Sequence, residues 1–302
     1  MKAVVKALLH PLRRTQLPFD ILRILRPPRW LYQHLHFTGV ITVKAAETAS
    51  FRMHHFGAEI ENELYWSGYG RGWEAYTLKV WRALCLQAKY IVDVGANTGV
   101  FGLAAMALNP RSEVMAIEPV PNIYAKLVAN VELNRFPIKT INMAASDTDG
   151  EVTIYAVKLE HSYSSSLEPR MIDALGPDFE VAETRVTGVR LDTLFDDVAF
   201  ERVDLLKIDV ERHEPMVLAG MRRHLERDRP AMIIEILDAE IGAAVQKQIA
   251  GLGYRCFLID EEQGLVETTD LLRRGTGKSW NYLLCRDATA RSLPRDLYGP
   301  QR

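Results

Sequence analysis

The residues able to do chemistry lie at the ends of short apolar runs. Tyr90–Val92 runs into Asp93-Val94-Gly95-Ala96-Asn97-Thr98-Gly99, an acid followed by a glycine-rich turn, and a helical pattern begins at Thr98. Three further runs end in acids, at Glu118-Pro119, at Ser146-Asp147 and at Lys207-Ile208-Asp209. In an open α/β sheet, ligands sit outside the carboxyl ends of strands. Carboxylates gathered there need cationic or hydroxyl-bearing partners, because a buried charge without one is costly. The pattern predicts a site for a nucleoside-bearing ligand. Glu118, 23 residues beyond Gly95, is placed to accept hydrogen bonds from two ribose hydroxyls.

Gly95 and Gly99 permit a tight turn and close approach of backbone to ligand. A dinucleotide fingerprint would put glycine at position 97, against a pyrophosphate. Asn97 stands there, and its side chain would crowd that group. A ligand without phosphate is favoured. S-adenosylmethionine (SAM) is one, and its ammonium and sulfonium charges suit a carboxylate-rich rim. The ribose acid alone does not separate SAM from NAD. Asp147 could accept from an adenine amino group, with Ser146 beside it; a turn-forming Ser-Asp pair explains them equally well.

The segment Lys207–Glu214 runs off a strand beside that loop, with Lys207 and Asp209 on one face. Methyl transfer to a hydroxyl needs in-line placement and a proton acceptor. His213 is the expected base, since imidazole is half-deprotonated near neutral pH. Glu211 or Glu214 would orient it, and Asp209 would face the donor or position the hydroxyl. The competing reading makes His213 a helix-start residue, with Glu214-Pro215 opening the helix. Glu235, inside Ile233–Ile236, wants a partner: Lys207 is the structural candidate, and a role at the substrate is the functional one. Asp209, Glu211, His213 and Glu235 could converge, but their spacing defines no ligand set, so no metal is expected. His54 and His55 point to opposite strand faces. The hydroxyl-rich His161–Ser166 reads either as a polyol-binding loop or as a solvated one. Tyr65, Trp66, Tyr69 and Trp73 around Gly68–Gly72 either stack on a sugar or close the core edge.

The elements that must position these residues alternate. Strands are expected at Tyr90–Val94, Glu113–Ile117, Lys139–Ala145, Val203–Ile208 and Ala231–Ile236. Helices are expected at Thr98–Leu108, after Pro121, from near Pro215 and over Ala239–Leu252. Arg255–Ile259 and Trp280–Cys285 lack a helix between them and should pair antiparallel. An inserted hairpin is expected near Glu151–Val157 and Val186–Arg190. The fold class is therefore α/β: a seven-stranded, mostly parallel sheet with helices on both faces and one reversed strand near the edge. Before it, residues 39–66 read as short strands, and a helix spans Trp73–Leu86. The division is a basic helical extension with short strands over 1–60, the main domain over 61–290 and a tail over 291–302.

The 302 residues are 48% hydrophobic and 25% charged, which fits a packed core. A net charge of −2 makes no case for a nucleic-acid partner. The charge is uneven: residues 1–36 hold seven basic side chains (Lys2, Lys6, Arg13, Arg14, Arg23, Arg26, Arg29) against Asp20. Short amphipathic stretches there, including Val4, Val5, Leu8 and Leu9, read as an extension packed on the domain or on a partner chain, such as a second copy. Alternatively, residues 1–30 rest on an anionic membrane surface. Three widely spaced cysteines argue against a disulfide framework or a zinc site. No apolar run is long enough to span a membrane, and a cytoplasmic location is expected.

Asp93-Val-Gly-Ala-Asn-x-Gly99, Glu118-Pro119, Asn130-Val-x-Leu-Asn134, Ala145-Ser-Asp-x-x-Gly150 and Leu206-Lys-Ile-Asp-Val-Glu-x-His-Glu214 occur in this order. Together, over about residues 60–285, they resemble the FkbM-type family of SAM-dependent methyltransferases. The resemblance implies a Rossmann-like methyltransferase fold and O-methylation of a sugar, glycan or natural-product hydroxyl. It also implies SAM-binding positions at Asp93, Gly95, Asn97, Glu118 and Asp147; Ala96, Gly99, Pro119, Ser146 and Asp209 complete the expected cofactor set. Arg212 departs from the family, which usually has glycine there. Either the turn is ordinary in this chain or a guanidinium stands at the substrate mouth. An NAD-dependent oxidoreductase and a non-catalytic SAM-binding scaffold are the alternatives; Asn97 and the lack of a Tyr-x-x-x-Lys motif oppose the first.

Overall fold

A computed structural model describes residues 17–159, 162–166, 181–271 and 280–299. The apolar face at Val4–Leu9, and His161 of the hydroxyl-rich segment, lie outside the described residues.

The described residues open with α1 (Leu17–Ile24) and the short α2 (Arg29–Tyr32), then the hairpin β1 (Gly39–Lys44) and β2 (Ser50–His55). Two helices follow, α3 (Glu59–Trp66) and α4 (Ala75–Cys85). The alternating region runs β3 (Tyr90–Val94), α5 (Val100–Leu108), β4 (Glu113–Ile117), α6 (Pro121–Asn134) and β5 (Lys139–Ile141). Next come β6 (Ala144–Ser146), β7 (Gly150–Leu159), β8 (Ser162–Ser166) and β9 (Val181–Arg190), then α7 (Leu191–Asp197) and β10 (Leu205–Ile208). The chain closes with α8 (Glu214–Gly220), α9 (Arg222–Asp228), β11 (Ala231–Glu235), α10 (Ala239–Ile249), β12 (Arg255–Asp260), β13 (Gly264–Thr268), β14 (Asn281–Cys285) and α11 (Asp287–Ser292).

The main sheet has the order β13-β12-β14-β11-β10-β3-β4-β5. From β5 to β11 neighbours are parallel, and β14 runs antiparallel to both β11 and β12. The expected α/β class holds, with eight strands in this sheet among the described residues in place of seven. The extra strand, β13, is antiparallel to β12. It forms because Asp260 accepts from the Glu262 and Gln263 amides at 2.9 Å each, turning the chain back at Gly264 (φ +94°). Helices cover both faces. One core joins α4 and α5 to the sheet through Trp81, Leu103 and Ile91; the other joins α7–α10 through Phe195, Leu218 and Val245.

Three expectations change on folding. The single strand expected over Lys139–Ala145 is cut in two, because the Asn142 side chain donates to the carbonyls of Glu118 (2.8 Å) and Pro119 (3.0 Å). Beyond that break, β6 joins a second sheet, β6-β9-β7-β8, which contains the expected inserted hairpin as β7 and β9. Within 39–66, the last stretch is the helix α3. Its apolar period is masked because its inner face carries Asn62 and Glu63. Both are partnered when buried: Glu63 by Arg29 (2.8 Å) and Tyr32 (3.1 Å), Asn62 by the Tyr32 carbonyl (3.0 Å).

The N-terminal segment packs on the domain. Phe19 stacks on Phe37 with ring centroids 5.0 Å apart, and the Tyr65 hydroxyl donates to Asp20 at 2.7 Å. One core contains Phe19, Phe37 and Ile41 together with Leu293 and Leu297. Neither residue 60 nor residue 291 therefore marks a break in packing. On the outer side Ile24, Leu25 and Trp30 are exposed.

Candidate active site

The loop after β3 is shaped by contacts within the protein. Gly95 has φ +79°, and a Cβ there would lie 1.8 Å from the Asp209 carbonyl oxygen. The glycine is needed so that the loops after β3 and β10 can touch; the expected demand from a ligand is secondary. Asn97 also sits in the left-handed region (φ +51°), which asparagine tolerates better than most residues. Its side-chain oxygen accepts from the Thr98 amide at 2.8 Å. Gly99 (φ +97°) opens α5 and packs against Leu127, where a Cβ would approach to 2.7 Å.

The motif residues Asn130 and Asn134 are clamps. Asn130, fully buried, donates to the Thr98 carbonyl (2.8 Å) and accepts from the His54 amide (2.7 Å). Asn134 brackets Arg52 through both its amide and its carbonyl. The N-terminal hairpin is thereby fastened to the cofactor loop. Asn130→Ala should destabilise the chain by about 2–4 kcal/mol, since two buried backbone groups lose their partners. Urea unfolding checks this, and a loss under about 1 kcal/mol would mean that water or a neighbour replaces the amide.

A cavity of about 230 Å³ crosses the carboxyl ends of β4, β3, β10 and β11. At its centre are Asp93, Gly95, Ala96, Asn97 and Thr98. On the β4 side stand Glu118 and Pro119, followed by an apolar slot of Ile117, Ile123, Met143, Ala144 and Ile154. On the β10 and β11 side stand Lys207, Asp209, Glu211 and Glu235, roofed by Trp73, Glu74 and Phe101. The expected residues Asp93, Gly95, Ala96, Asn97, Glu118, Pro119, Asp209 and Glu211 all line it.

Four expected residues do not. Gly99 is turned into the packing of α5. Asp147 is exposed beyond β6, and the apolar slot takes the place expected for it. Ser146 is buried, with its hydroxyl 3.0 Å from Nε2 of His213. His213 occupies the N-cap position of α8, off the cavity lining. This is the helix-start position that the competing reading gave it. The turn before it is left-handed at Glu211 (φ +54°) and Arg212 (φ +79°). Buried Glu214 holds it by accepting from the Val210 (3.3 Å) and Arg212 (3.2 Å) amides. Neither alternative for Arg212 applies. The backbone keeps the conformation glycine would favour, and the guanidinium pairs with Asp238, the N-cap residue of α10, and with Glu240.

Six carboxyl groups and one amine line the cavity. Burial pushes the Asp93 and Glu118 carboxyls up to about 7 each. Asp93 accepts from the Gly102 amide at 3.0 Å, at the start of α5. Glu118 accepts from the Asn97 (3.0 Å) and Val120 (2.9 Å) amides, one on each oxygen. A carboxylate has about four acceptor positions, so one on each oxygen stays available to a ligand. Lys207 is 1% exposed and donates to Asp209 (3.0 Å) and Asn281 (3.3 Å). Its direct partners are these two; Glu235 acts on it through charge alone. Burial pulls its ammonium down, but Asp209, Glu74 and Glu235 outweigh that and hold it above its ordinary value.

Glu74 is the cavity residue that sequence reasoning missed. The available signal was an acid between the Gly68–Gly72 loop and the first turn of a helix. Of the four aromatics near that loop, only Trp73 lines the cavity. Tyr65 is buried in the core, Trp66 donates to Asn62 (3.0 Å) and Tyr69 to the Leu78 carbonyl (3.1 Å). His55 is buried against Phe37, with ring centroids 4.2 Å apart. Among the described residues no three His, Cys, Asp or Glu side chains are grouped to hold a metal ion.

An acid-lined cleft at the strand ends of a mostly parallel sheet, with Glu118 directly after β4, is the arrangement of a Rossmann-like fold. The chain belongs to the FkbM methyltransferase family: the profile of the methyltransferase FkbM domain matches residues 93–256. It is similar to methyltransferase sdnD of Sordaria araneosa, 31% identical over 170 residues, which cover 48% of this chain and 65% of that protein. It is also similar to 31-O-demethyl-FK506 methyltransferase FkbM of Streptomyces tacrolimicus, 32% identical over 154 residues (43% and 58%). The AMB antimetabolite synthetase AmbE of Pseudomonas aeruginosa is 27% identical over 181 residues, 51% of this chain and 8% of that protein. These matches span less than two thirds of each relative's own length. Among solved structures, methyltransferase FkbM from Methylobacillus flagellatus aligns with a TM-score of 0.43 at 16% identity, covering 65% of this chain and 43% of that one. Residues 93–256 therefore form a methyltransferase FkbM domain.

Proposed function

We propose that the protein is a SAM-dependent O-methyltransferase acting on a hydroxyl of a sugar, glycan or natural product. The observation that carries this is the acid-lined cavity, with Glu118 fixed in its lining by the Asn97 and Val120 amides. SAM brings two positive charges and no phosphate, and six carboxyl groups against one amine suit it. The same lining opposes the pyrophosphate of NAD. In this reading Glu118 takes the ribose, the apolar slot beyond Pro119 takes the adenine, and the acids near β10 face the sulfonium. When bound, SAM supplies an electrophilic methyl carbon; the protein aligns a hydroxyl with it, excludes water and receives a proton.

Isothermal titration with SAM and with NAD tests the proposal: SAM should bind and NAD should not. Absence of SAM binding at millimolar concentration would sink it. The pH dependence has a fixed sign. Asp93 and Glu118 bind a proton in the free protein up to about pH 7, well above their unfolded values. Their contribution to stability is therefore full below about pH 4 and is lost as pH rises through about 7. A cationic ligand reverses this by favouring the ionised forms. SAM affinity should rise between pH 6 and 8, and SAM should raise the melting temperature more at pH 8 than at pH 6. A flat or falling affinity over that range would mean that these carboxyls do not meet the ligand's charge.

A hydroxyl acceptor fits the acceptor side because that side is acidic, which disfavours a phosphorylated or carboxylated molecule. We place the protein in the cytoplasm, with Ile24, Leu25 and Trp30 beside Arg23 and Arg26 as a contact for anionic membrane. Co-sedimentation with phosphatidylserine vesicles but not with neutral ones is expected; equal behaviour with both would remove the membrane contact.

A further inference from the structure

Two carboxylate oxygens on the acceptor side of the cavity are buried and make no hydrogen bond, Glu74 Oε2 and Glu235 Oε2. They come from separate parts of the chain, the N-cap of α4 and the end of β11. Both line the same cavity as Lys207 and Asp209. Strand register explains the grouping. Lys207 is level with Asp93 and with Ile233, and Glu235 is level with Asn281. Side chains two apart along a strand share a face, so Lys207 and Glu235 project from the same side of the sheet, beneath α4.

Glu74 is held in an uncommon conformation for this placement. Its backbone is left-handed (φ 42°, ψ 45°), and its side chain does not cap α4. A distant residue does that work: the Glu261 carboxylate accepts from the Tyr76 (2.7 Å) and Thr77 (3.2 Å) amides and from the Thr77 hydroxyl (2.9 Å). The residue at the cap position is thereby released to face the cavity. Backbone strain at a non-glycine residue persists where the surrounding structure over-determines it, and such residues cluster at functional sites.

We propose that Glu74 and Glu235 form the acceptor-hydroxyl subsite and that Glu74 is the base that takes the hydroxyl proton. This rests on the O-methyltransferase reading and replaces His213, which lies off the cavity lining. The acceptor hydroxyl donates to Glu74 Oε2, and Glu235 and Lys207 orient the rest of the acceptor. As the acceptor oxygen forms its bond to the methyl carbon, its proton passes to Glu74. The carbon–sulfur bond breaks with its electron pair going to sulfur, so the sulfonium becomes a neutral thioether. The proton then leaves Glu74 for solvent.

The electrostatics suit the task. Burial pushes the Glu74 carboxyl up to about 7; Asp209 and Glu261 add to this, and Lys207 and the Asn281 amide pull it back. Glu235 lines the same cavity from the end of β11 and is itself raised, chiefly by burial. A base titrating near neutral pH combines availability with basicity.

The test uses the full chain as wild type, Glu74→Gln and Glu235→Gln. Proton release on binding is measured by calorimetry at pH 7 in two buffers of different ionisation enthalpy, with SAM and with S-adenosylhomocysteine as probes. A nearby sulfonium ionises a half-protonated carboxyl. Wild type should therefore release more protons with SAM than with the uncharged thioether. Glu74→Gln should lose about half a proton of that difference while its SAM affinity stays within about threefold. Methyl transfer from tritiated SAM to a panel of methyl glycosides gives the second readout. In Glu74→Gln, kcat should fall about 100-fold or more, with KM for SAM unchanged and the acid limb of the pH profile near 7 removed. Glu235→Gln should raise KM for the glycoside more than it lowers kcat. SAM binding with the same proton release in wild type and Glu74→Gln overturns the assignment and leaves the methyl-donor reading standing. Equal kcat on a methylated glycoside overturns it too. A wild type that does not bind SAM overturns the broader reading instead.

Discussion

Gly95→Ala is expected to destabilise the chain by about 4 kcal/mol or more and to remove ligand binding with it. Two costs add. A left-handed backbone (φ +79°) costs a non-glycine residue about 1–2 kcal/mol. The larger cost is steric, because the new methyl group would lie 1.8 Å from the Asp209 carbonyl oxygen. That oxygen belongs to backbone anchored by the Asp209 amide on the Val94 carbonyl at 3.0 Å, so it has little freedom to retreat. Gly57→Ala separates the two costs: its φ is +91°, but nothing lies within 4 Å of the added carbon. It should lose only about 1–2 kcal/mol. Urea denaturation of both variants decides the matter. If Gly95→Ala falls within about 1 kcal/mol of Gly57→Ala, the contact between the two loops is looser than its geometry implies.

Glu118→Ala is expected to weaken SAM binding by about 100-fold to 10,000-fold while the protein stays folded. Each hydrogen bond from a ribose hydroxyl to a carboxylate is worth about 1.5–3 kcal/mol, and two are lost together. The Asn97 and Val120 amides also lose their acceptor, so the loop that faces the ligand loosens. Stability suffers less, because removing a buried carboxyl also removes its desolvation cost. Glu118→Gln keeps one oxygen for a backbone amide and should fall between the two. Calorimetric titration gives the affinities. Binding within about fivefold of wild type in Glu118→Ala would place the ribose elsewhere.

Much of the site was legible because it lies next to backbone signals. Asp93, Glu118 and Asp209 each follow a β-branched or apolar run, and strand ends in such a sheet converge on one edge. Asn97 was informative for a different reason: it stands where a dinucleotide fingerprint would have glycine. His213, Ser146 and Asp147 lie within a few residues of lining positions but are not themselves part of the cavity lining. The backbone just before His213 is left-handed at Glu211 and Arg212, and the Ser146 hydroxyl lies 3.0 Å from the His213 Nε2. No periodicity encodes a left-handed turn. Glu74 was missed because its position depends on Glu261, 187 residues further along the chain.

The sequence by itself determined the order of strands and helices, the acids at the strand ends and the glycine turn, because each is written in contiguous residues with a period of two or 3.6. It also determined the family, through motifs that recur in order. Only the tertiary structure decided which acids share a cavity, that Lys207 is tied to Asp209 and Asn281, that Asn130 and Asn134 are clamps, and that a hairpin adds an eighth strand. These depend on packing between segments far apart in the chain, where burial and the need to pair every buried polar group choose among arrangements that the local sequence leaves equal.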